Sequence, residues 1–210
     1  MDTIDMIFDG VVSGNQGMVE ENVRAALAEG IPAKEILDDG LVDAMAEVGD
    51  RFEEGRYFVP EMLVAARAMK SGLAILREKL VEGNVQPAGK VVIGTVQGDI
   101  HDIGKNLVGM MLEGAGFEII DLGVNVSPTT FADAAKTADI VAMSALLTTT
   151  MPNMVKVMDE LKKSDVRGRV KVIVGGAPVT DDFAKRIGAD GFAKDASQAA
   201  TLAASLVGAG

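Results

Sequence analysis

The chain holds one histidine, His101, within Gln97-Gly98-Asp99-Ile100-His101-Asp102-Ile103-Gly104-Lys105-Asn106. As a phosphate loop this stretch fails. Its Gly98 to Gly104 interval is one residue too long for GxxxxGK[ST], and Asn106 stands where a hydroxyl should hold magnesium. The dinucleotide fingerprint GxGxxG is also absent. Asp99 and His101 are two apart, so in an extended loop both side chains point the same way. A carboxylate there takes the Nδ1 proton, fixes the tautomer and leaves Nε2 free and more basic for a metal. One histidine cannot hold a bare metal ion, which takes three or four protein ligands. It can hold a metal whose other positions a macrocycle already fills, a tetrapyrrole or a corrin. Taken alone, the stretch reads more simply as a loop histidine with a local hydrogen bond. Asp102 reads best as N-cap of a helix opening at Ile103.

Two further stretches stand out. Ser144-Ala145-Leu146-Leu147-Thr148-Thr149-Thr150 puts small hydroxyl residues after an apolar run, where they allow close approach and offer hydrogen bonds to amides or phosphate. At least one of these threonines is expected to cap a helix before Met151. Gly175-Gly176 permits a bulky group to lie against the backbone, although turns use such pairs freely.

The elements that must position these residues change character near residue 85. Before it, Leu37, Leu41, Met45, Val48 and Phe52 recur at helical spacing, as do Leu63, Ala66, Met69, Leu73, Leu76 and Leu80. Gly14, Gly30 and Glu54-Gly55 punctuate four helices, at 3–13, 16–29, 33–53 and 59–81, with Pro60 in a first turn. Short connections favour an antiparallel four-helix bundle over residues 1–85. Val81–Gly89 is a polar linker with Gly and Pro. Residues 90–210 then alternate short apolar strands with helices. Strands are expected at 90–96, 117–122, 139–145, 170–174 and 191–193. Helices follow them, ending near 116 and spanning about 128–137, 151–163, 179–187 and 196–207. This is the grammar of a five-stranded parallel sheet covered on both faces, flavodoxin-like or Rossmann-like. Such sheets bind ligands beyond the carboxyl ends of the strands, where strand order reverses. In a 2-1-3-4-5 order that point lies between strands 1 and 3, so it selects the His101 loop and the Ser144–Thr150 loop.

Composition narrows the partners. The 210 residues include 31 acidic and 20 basic side chains, a net charge of −11, which argues against nucleic acid and anionic membranes. Cysteine is absent, which excludes thiolate sites and disulfides and fits a reducing cytosol. The first residues, MDTIDMIFDG, lack the regions of a signal peptide. No apolar run approaches the length of a membrane span. A cytoplasmic protein is expected. The many methionines read as core filler.

Together these segments resemble the B12-binding domain shared by methionine synthase, the corrinoid mutases and corrinoid methyltransferase proteins. The family pattern DxHxxG, then SxL, then GG reads here Asp99-Ile100-His101-Asp102-Ile103-Gly104, then Ser144-Ala145-Leu146, then Gly175-Gly176. Upstream, Gly55-Arg56-Tyr57-Phe58-Val59-Pro60-Glu61-Met62-Leu63 is similar to the helical cap of methionine synthase and of methylamine, methanol and O-demethylase corrinoid proteins. Nearly the whole chain is covered.

The resemblance implies a cobalamin or related corrinoid, with His101 as the lower axial cobalt ligand in place of the cofactor's own base (base-off, His-on). Asp99 and Thr150 would continue a relay behind it. Thr150 replaces the serine of methionine synthase, which keeps the hydroxyl and adds a methyl group. Gly98, Ile100, Asp102, Ile103, Gly104, Leu146 and Thr148 would border the cofactor. Its nucleotide tail would run beside strand 1 towards Ser144, Gly175, Gly176 and Ala196. Phe58 and Met62 would shield the upper face, or else are ordinary bundle core; the two readings are close to even.

With the mutases' substrate barrel absent, the resemblance implies a methyl carrier in one-carbon metabolism. Cobalt(I) would take a methyl group from a donor-specific methyltransferase, and methylcobalt(III) would pass it to an acceptor methyltransferase, towards tetrahydrofolate or coenzyme M. A reductive activation protein would be a third partner. The chain itself would be a cofactor-carrying subunit. The alternative is a B12-dependent regulator, but such proteins append a DNA-binding domain, whereas this chain is expected to end at Leu206-Val207-Gly208-Ala209-Gly210 without one. A flavodoxin-like module for another ligand would leave the three-part pattern unexplained.

Overall fold

A computed structural model describes residues 2–208, so Ala209 and Gly210 at the expected end lie outside the described residues. The chain separates into two compact units, Met1–Gln86 with Gly114–Gly116, and Pro87–Glu113 with Phe117–Gly210.

The first unit is helical: α1 (Thr3–Val12), α2 (Gln16–Ala28), α3 (Ala33–Glu35), a π-helical segment (Ile36–Val42), α4 (Asp43–Glu53) and α5 (Val59–Glu82). Asp2 and Asp5 form a reciprocal capping box that satisfies two N-terminal amides of α1. Asn15 caps α2. The sequence predicts one helix over 33–53, and the structure interrupts it with the π segment. Gly40, inside that segment, packs so closely on α1 that a Cβ would sit 3.1 Å from Ile7 Cγ2. The wide turn occurs where the chain has no side chain to accommodate, a feature that periodicity does not report. Of the residues read at helical spacing, Leu41, Met45, Val48, Met69 and Leu76 are buried, whereas Leu37, Phe52, Leu63, Ala66, Leu73 and Leu80 are only half-buried. The buried face of α5 is centred on Met62, Ala65, Ala68, Met69 and Leu76.

The second unit is the five-stranded sheet. β1 (Lys90–Thr95), β2 (Glu118–Asp121), β3 (Ile140–Ser144), β4 (Lys171–Gly175) and β5 (Gly191–Ala193) are parallel in the order β2-β1-β3-β4-β5. Helices α6 (Ile103–Gly114), α7 (Pro128–Ala135), α8 (Pro152–Lys163) and α9 (Asp181–Ile187) form the crossovers, and α10 (Ala196–Val207) follows β5. The inner strands β1, β3 and β4 are apolar almost throughout because helices cover both faces. β2, at an edge, is only half-buried and shorter than expected. α8 shows how the layers lock: Met154, Val157, Met158 and Leu161 make one buried stripe at 3.6-residue spacing.

Strand register decides what meets at the carboxyl ends. Thr95 of β1 lies opposite Ser144 of β3, Ser144 opposite Gly175 of β4, and Gly175 opposite Ala193 of β5. The loops after β1 and β3 are therefore neighbours, although the sequence separates them by some fifty residues.

Candidate functional site

The loop after β1 turns at Gly98, whose φ of +83° suits glycine. It delivers Asp99 inward, fully buried, and His101 outward, with its imidazole 47% exposed. Asp99 Oδ1 lies 2.7 Å from His101 Nδ1 and also accepts the His101 amide at 3.1 Å. Asp99 Oδ2 accepts the Leu146 amide at 2.8 Å, the Leu147 amide at 3.3 Å and the Thr150 hydroxyl at 2.7 Å. Burial alone would raise the Asp99 pKa. The hydrogen bonds from Thr150, His101 and Leu146 outweigh it and hold the carboxyl well below the usual carboxylate range.

An ionised carboxylate only accepts, so Nδ1 of His101 carries the hydrogen. Nε2 then has a lone pair across the ring from the buried carboxylate, on a side chain that is about half exposed. Such a nitrogen, held in one tautomer, is able to act as a metal ligand.

The expected threonine cap before Met151 does not form, since α8 opens at Pro152 with no side-chain cap. Thr150 is needed elsewhere. Its hydroxyl has one hydrogen and faces two acceptors, Asp99 Oδ2 and the Leu147 carbonyl at 2.8 Å. Asp102 does precede α6: its carbonyl accepts the Asn106 amide at 2.8 Å, and its carboxylate accepts the Asn106 side chain at 3.2 Å.

Around the imidazole, Ile100 is 73% exposed and Ile103 81%, and Leu146 and Leu147 are also exposed. Gly104 adds open backbone, with no atom within 4 Å of where a Cβ would stand. Clustered apolar exposure of this kind marks a binding face. Thr148 is exposed on the same loop as Leu146.

Ser144, Gly175, Gly176 and Ala196 lie at or just beyond the ends of β3, β4 and β5. Gly175 and Gly176 have a reason of their own. A Cβ on Gly175 would stand 2.9 Å from the Ala193 carbonyl oxygen, and one on Gly176, at φ +123°, 2.0 Å from that of Ala145. The backbone of the fold already requires both glycines. Ala196 opens α10 and is buried. Phe58 and Met62 belong to the helical unit: Phe58, at the N-cap of α5, is 64% exposed, whereas Met62 is fully buried.

Three positioning residues escape a reading by motif. Asn125, at φ +52°, accepts the Gly98 amide on Oδ1 at 2.8 Å and donates its own amide to the Asp99 carbonyl at 2.9 Å. Asn153 Nδ2 donates to the Gln97 carbonyl at 2.6 Å. Buried Thr95 donates its hydroxyl to the His101 carbonyl at 2.8 Å. Asparagine after Gly123-Val124 hints at a left-handed turn. Nothing local in sequence marks the other two, because their partners arrive through the fold.

Comparison with known proteins identifies the family. Residues 89–201 match the family model described as B12 binding domain, and residues 3–77 match a second model of the same description. The chain is 44% identical over 195 residues to trimethylamine corrinoid protein 2 of Methanosarcina acetivorans, covering 91% of this chain and 90% of that one. Among solved structures it is similar to a cobalamin-binding protein from Desulfitobacterium hafniense DCB-2 (30% identity, TM-score 0.83, 98% of each chain). It is also similar to a chain of the methanol:cobalamin methyltransferase complex MtaBC from Methanosarcina barkeri (28% identity, TM-score 0.87, 99% of this chain and 80% of that one).

The residues present fit a corrinoid. Among the described residues no group of three or more His, Cys, Asp or Glu side chains could hold a bare ion. A single fixed imidazole on an apolar, glycine-opened face suits a metal already held in a macrocycle. Among the described residues no helix is long and apolar enough to cross a membrane.

Proposed function

This chain belongs to the B12-binding family of corrinoid proteins, and we propose that it is a methyl carrier whose His101 is the lower axial ligand of a base-off corrinoid. The observation that carries the reading is the Asp99–His101 contact of 2.7 Å, with Asp99 fully buried and the imidazole half exposed. When bound, a corrinoid supplies a cobalt centre that accepts and releases a methyl group. The chain does the rest. Asp99 keeps the hydrogen of His101 on Nδ1, Thr150 keeps Asp99 ionised, and Asn125, Asn153 and Thr95 keep the loop in place. The hydroxyl of Thr150, shared between Asp99 and the Leu147 carbonyl, would let the Asp99–His101 pair adjust when His101 holds the group. Ser144, Gly175, Gly176 and Ala196 would accompany the nucleotide tail, and Gly98, Ile100, Asp102, Ile103, Gly104, Leu146 and Thr148 would border the macrocycle. Of the two residues proposed as a shield, the exposed Phe58 keeps that role, whereas Met62, fully buried, packs inside the helical unit.

The partners of this reading are a donor-specific methyltransferase, an acceptor methyltransferase serving tetrahydrofolate or coenzyme M, and a reductive activation protein, all in the cytoplasm. The relative at 44% identity is a trimethylamine corrinoid protein, whereas the methanol system is 28% identical, which supports a methylated amine as donor class.

The test is reconstitution with hydroxocobalamin, followed by visible spectra of the wild type and His101→Gly. The variant is expected to bind corrinoid with an altered spectrum; an unchanged spectrum would sink the ligand assignment. Methyl transfer from trimethylamine, and not from methanol, by the cognate donor enzyme then tests the carrier role.

A further inference from the structure

Lys105 stands in the first turn of α6, where the helix macrodipole disfavours a cation, and yet it is buried to 3% exposure. Burying an ammonium is costly unless it is paired and hydrogen-bonded. Its Nζ lies 2.5 Å from Asp121 Oδ2 at the end of β2 and donates to Asn106 Oδ1 at 2.7 Å. Asp121 is asymmetric to it, with its side chain 46% exposed. The other Asp121 oxygen accepts the Gly123 amide at 2.8 Å. The Gly123 carbonyl accepts the Thr95 amide at 3.0 Å, and the Thr95 hydroxyl reaches the His101 carbonyl at 2.8 Å. A continuous polar chain therefore runs from Lys105 through Asp121, Gly123 and Thr95 back to His101. It meets the Asp99 network only at His101: Asp99 holds the ring and the backbone amide, whereas this chain holds the backbone carbonyl.

We propose that Lys105 and Asp121 are positioning residues that set the height of the His101 backbone, and with it the strength of axial ligation. The proposal rests on His101 being the ligand. Asp99 determines which nitrogen is free; the Lys105–Asp121 pair determines how far that nitrogen reaches. Without the pair, the start of α6 and the end of β2 lose their common brace, and the loop between β1 and α6 can settle away from the cofactor while His101 and Asp99 stay intact.

The test uses the full chain, labelled with nitrogen-15 and loaded with unlabelled cob(II)alamin, in which a nitrogen ligand splits the electron paramagnetic resonance lines. It splits them into doublets when it belongs to the protein, and into triplets when it is the cofactor's own base. Wild type should show doublets. Lys105→Met and Asp121→Ala should still bind corrinoid, but with the unligated fraction raised roughly threefold or more, the change that one lost hydrogen bond makes in an equilibrium. Asp121→Ala should lower Tm more, because it strands a buried ammonium, whereas Lys105→Met leaves a half-exposed carboxylate to water. Ile173→Ala, in the core of β4, supplies a matched loss of Tm and should keep the wild-type splitting. Should a single variant not fold, Lys105→Met with Asp121→Leu replaces the ion pair by an apolar one and is read in the same way. Wild-type splitting retained in Lys105→Met or in the double variant overturns the proposal, as does equal loss in Ile173→Ala. A wild type with triplets, or with no nitrogen splitting, overturns the His101 assignment itself, which separates the two failures.

Discussion

Thr150 Oγ1 donates to Asp99 Oδ2 at 2.7 Å across a sequence separation of 51 residues, while the other oxygen of the same carboxylate faces His101 Nδ1. One buried group thus joins the loops after β1 and β3. Every donor on Oδ2 comes from the β3 side, and every donor on Oδ1 comes from His101.

That division makes Asp99→Asn informative. An asparagine has one acceptor oxygen, and it will face Leu146, Leu147 and Thr150, where three donors converge. Its NH2 then meets His101 Nδ1, which must become an acceptor and send the ring hydrogen to Nε2. The expected outcome is a protein destabilised by about 1–3 kcal/mol that binds corrinoid without ligation by a protein nitrogen. Chemical denaturation and cob(II)alamin resonance spectra measure the two effects.

Acid should remove the Asp99 contribution. Its folded pKa is depressed, so the stabilisation is complete above the unfolded value, about 3.9, and is lost as pH falls through the lower folded value. The Tm difference between wild type and Asp99→Asn should therefore be constant near neutrality and shrink below about pH 4. A difference that stays constant down to pH 2 would count against the depressed pKa.

Thr150→Ser keeps the donor and should match the wild type in spectrum. Thr150→Val keeps the shape but removes the hydroxyl, at a cost of about 1 kcal/mol, and leaves Asp99 with its amide donors alone. Corrinoid spectra at neutral pH should differ from those of the wild type in the valine variant only.

Two glycines of the same motif set separate fold from ligand. A methyl group on Gly176 would meet the Ala145 carbonyl at 2.0 Å in a left-handed backbone, so Gly176→Ala should cost about 3 kcal/mol or more without any cofactor. Gly104 has open space around it, and Gly104→Ala should raise apoprotein stability by up to about 1 kcal/mol through helix propensity. Weakened corrinoid binding in that stable variant would be a direct mark of contact. Calorimetry of the apoprotein and cobalamin titration give both answers.

The residue types and their spacing by themselves determined the two periodicities, the parallel sheet and the candidate pairing of Asp99 with His101. These are local facts: alternation follows from neighbours, and two residues two apart can reach each other within one loop. The strand order came from the structure, as did the turn that buries Asp99, exposes His101 and still brings them together. Tertiary structure alone decided what makes Asp99 a fixed base. Its burial and its bonds to Leu146, Leu147 and Thr150 exist because β3 hydrogen-bonds to β1 with Ser144 opposite Thr95. It also turned Thr150 away from capping α8, placed Gly40 in a π turn, and revealed Gly176 as a backbone requirement. Asn125 and Asn153 act through partners 27 and 56 residues away, and no pattern of neighbouring side chains encodes such distances. Hydrogen bonds depend on position in space, and here that position is set by strand register.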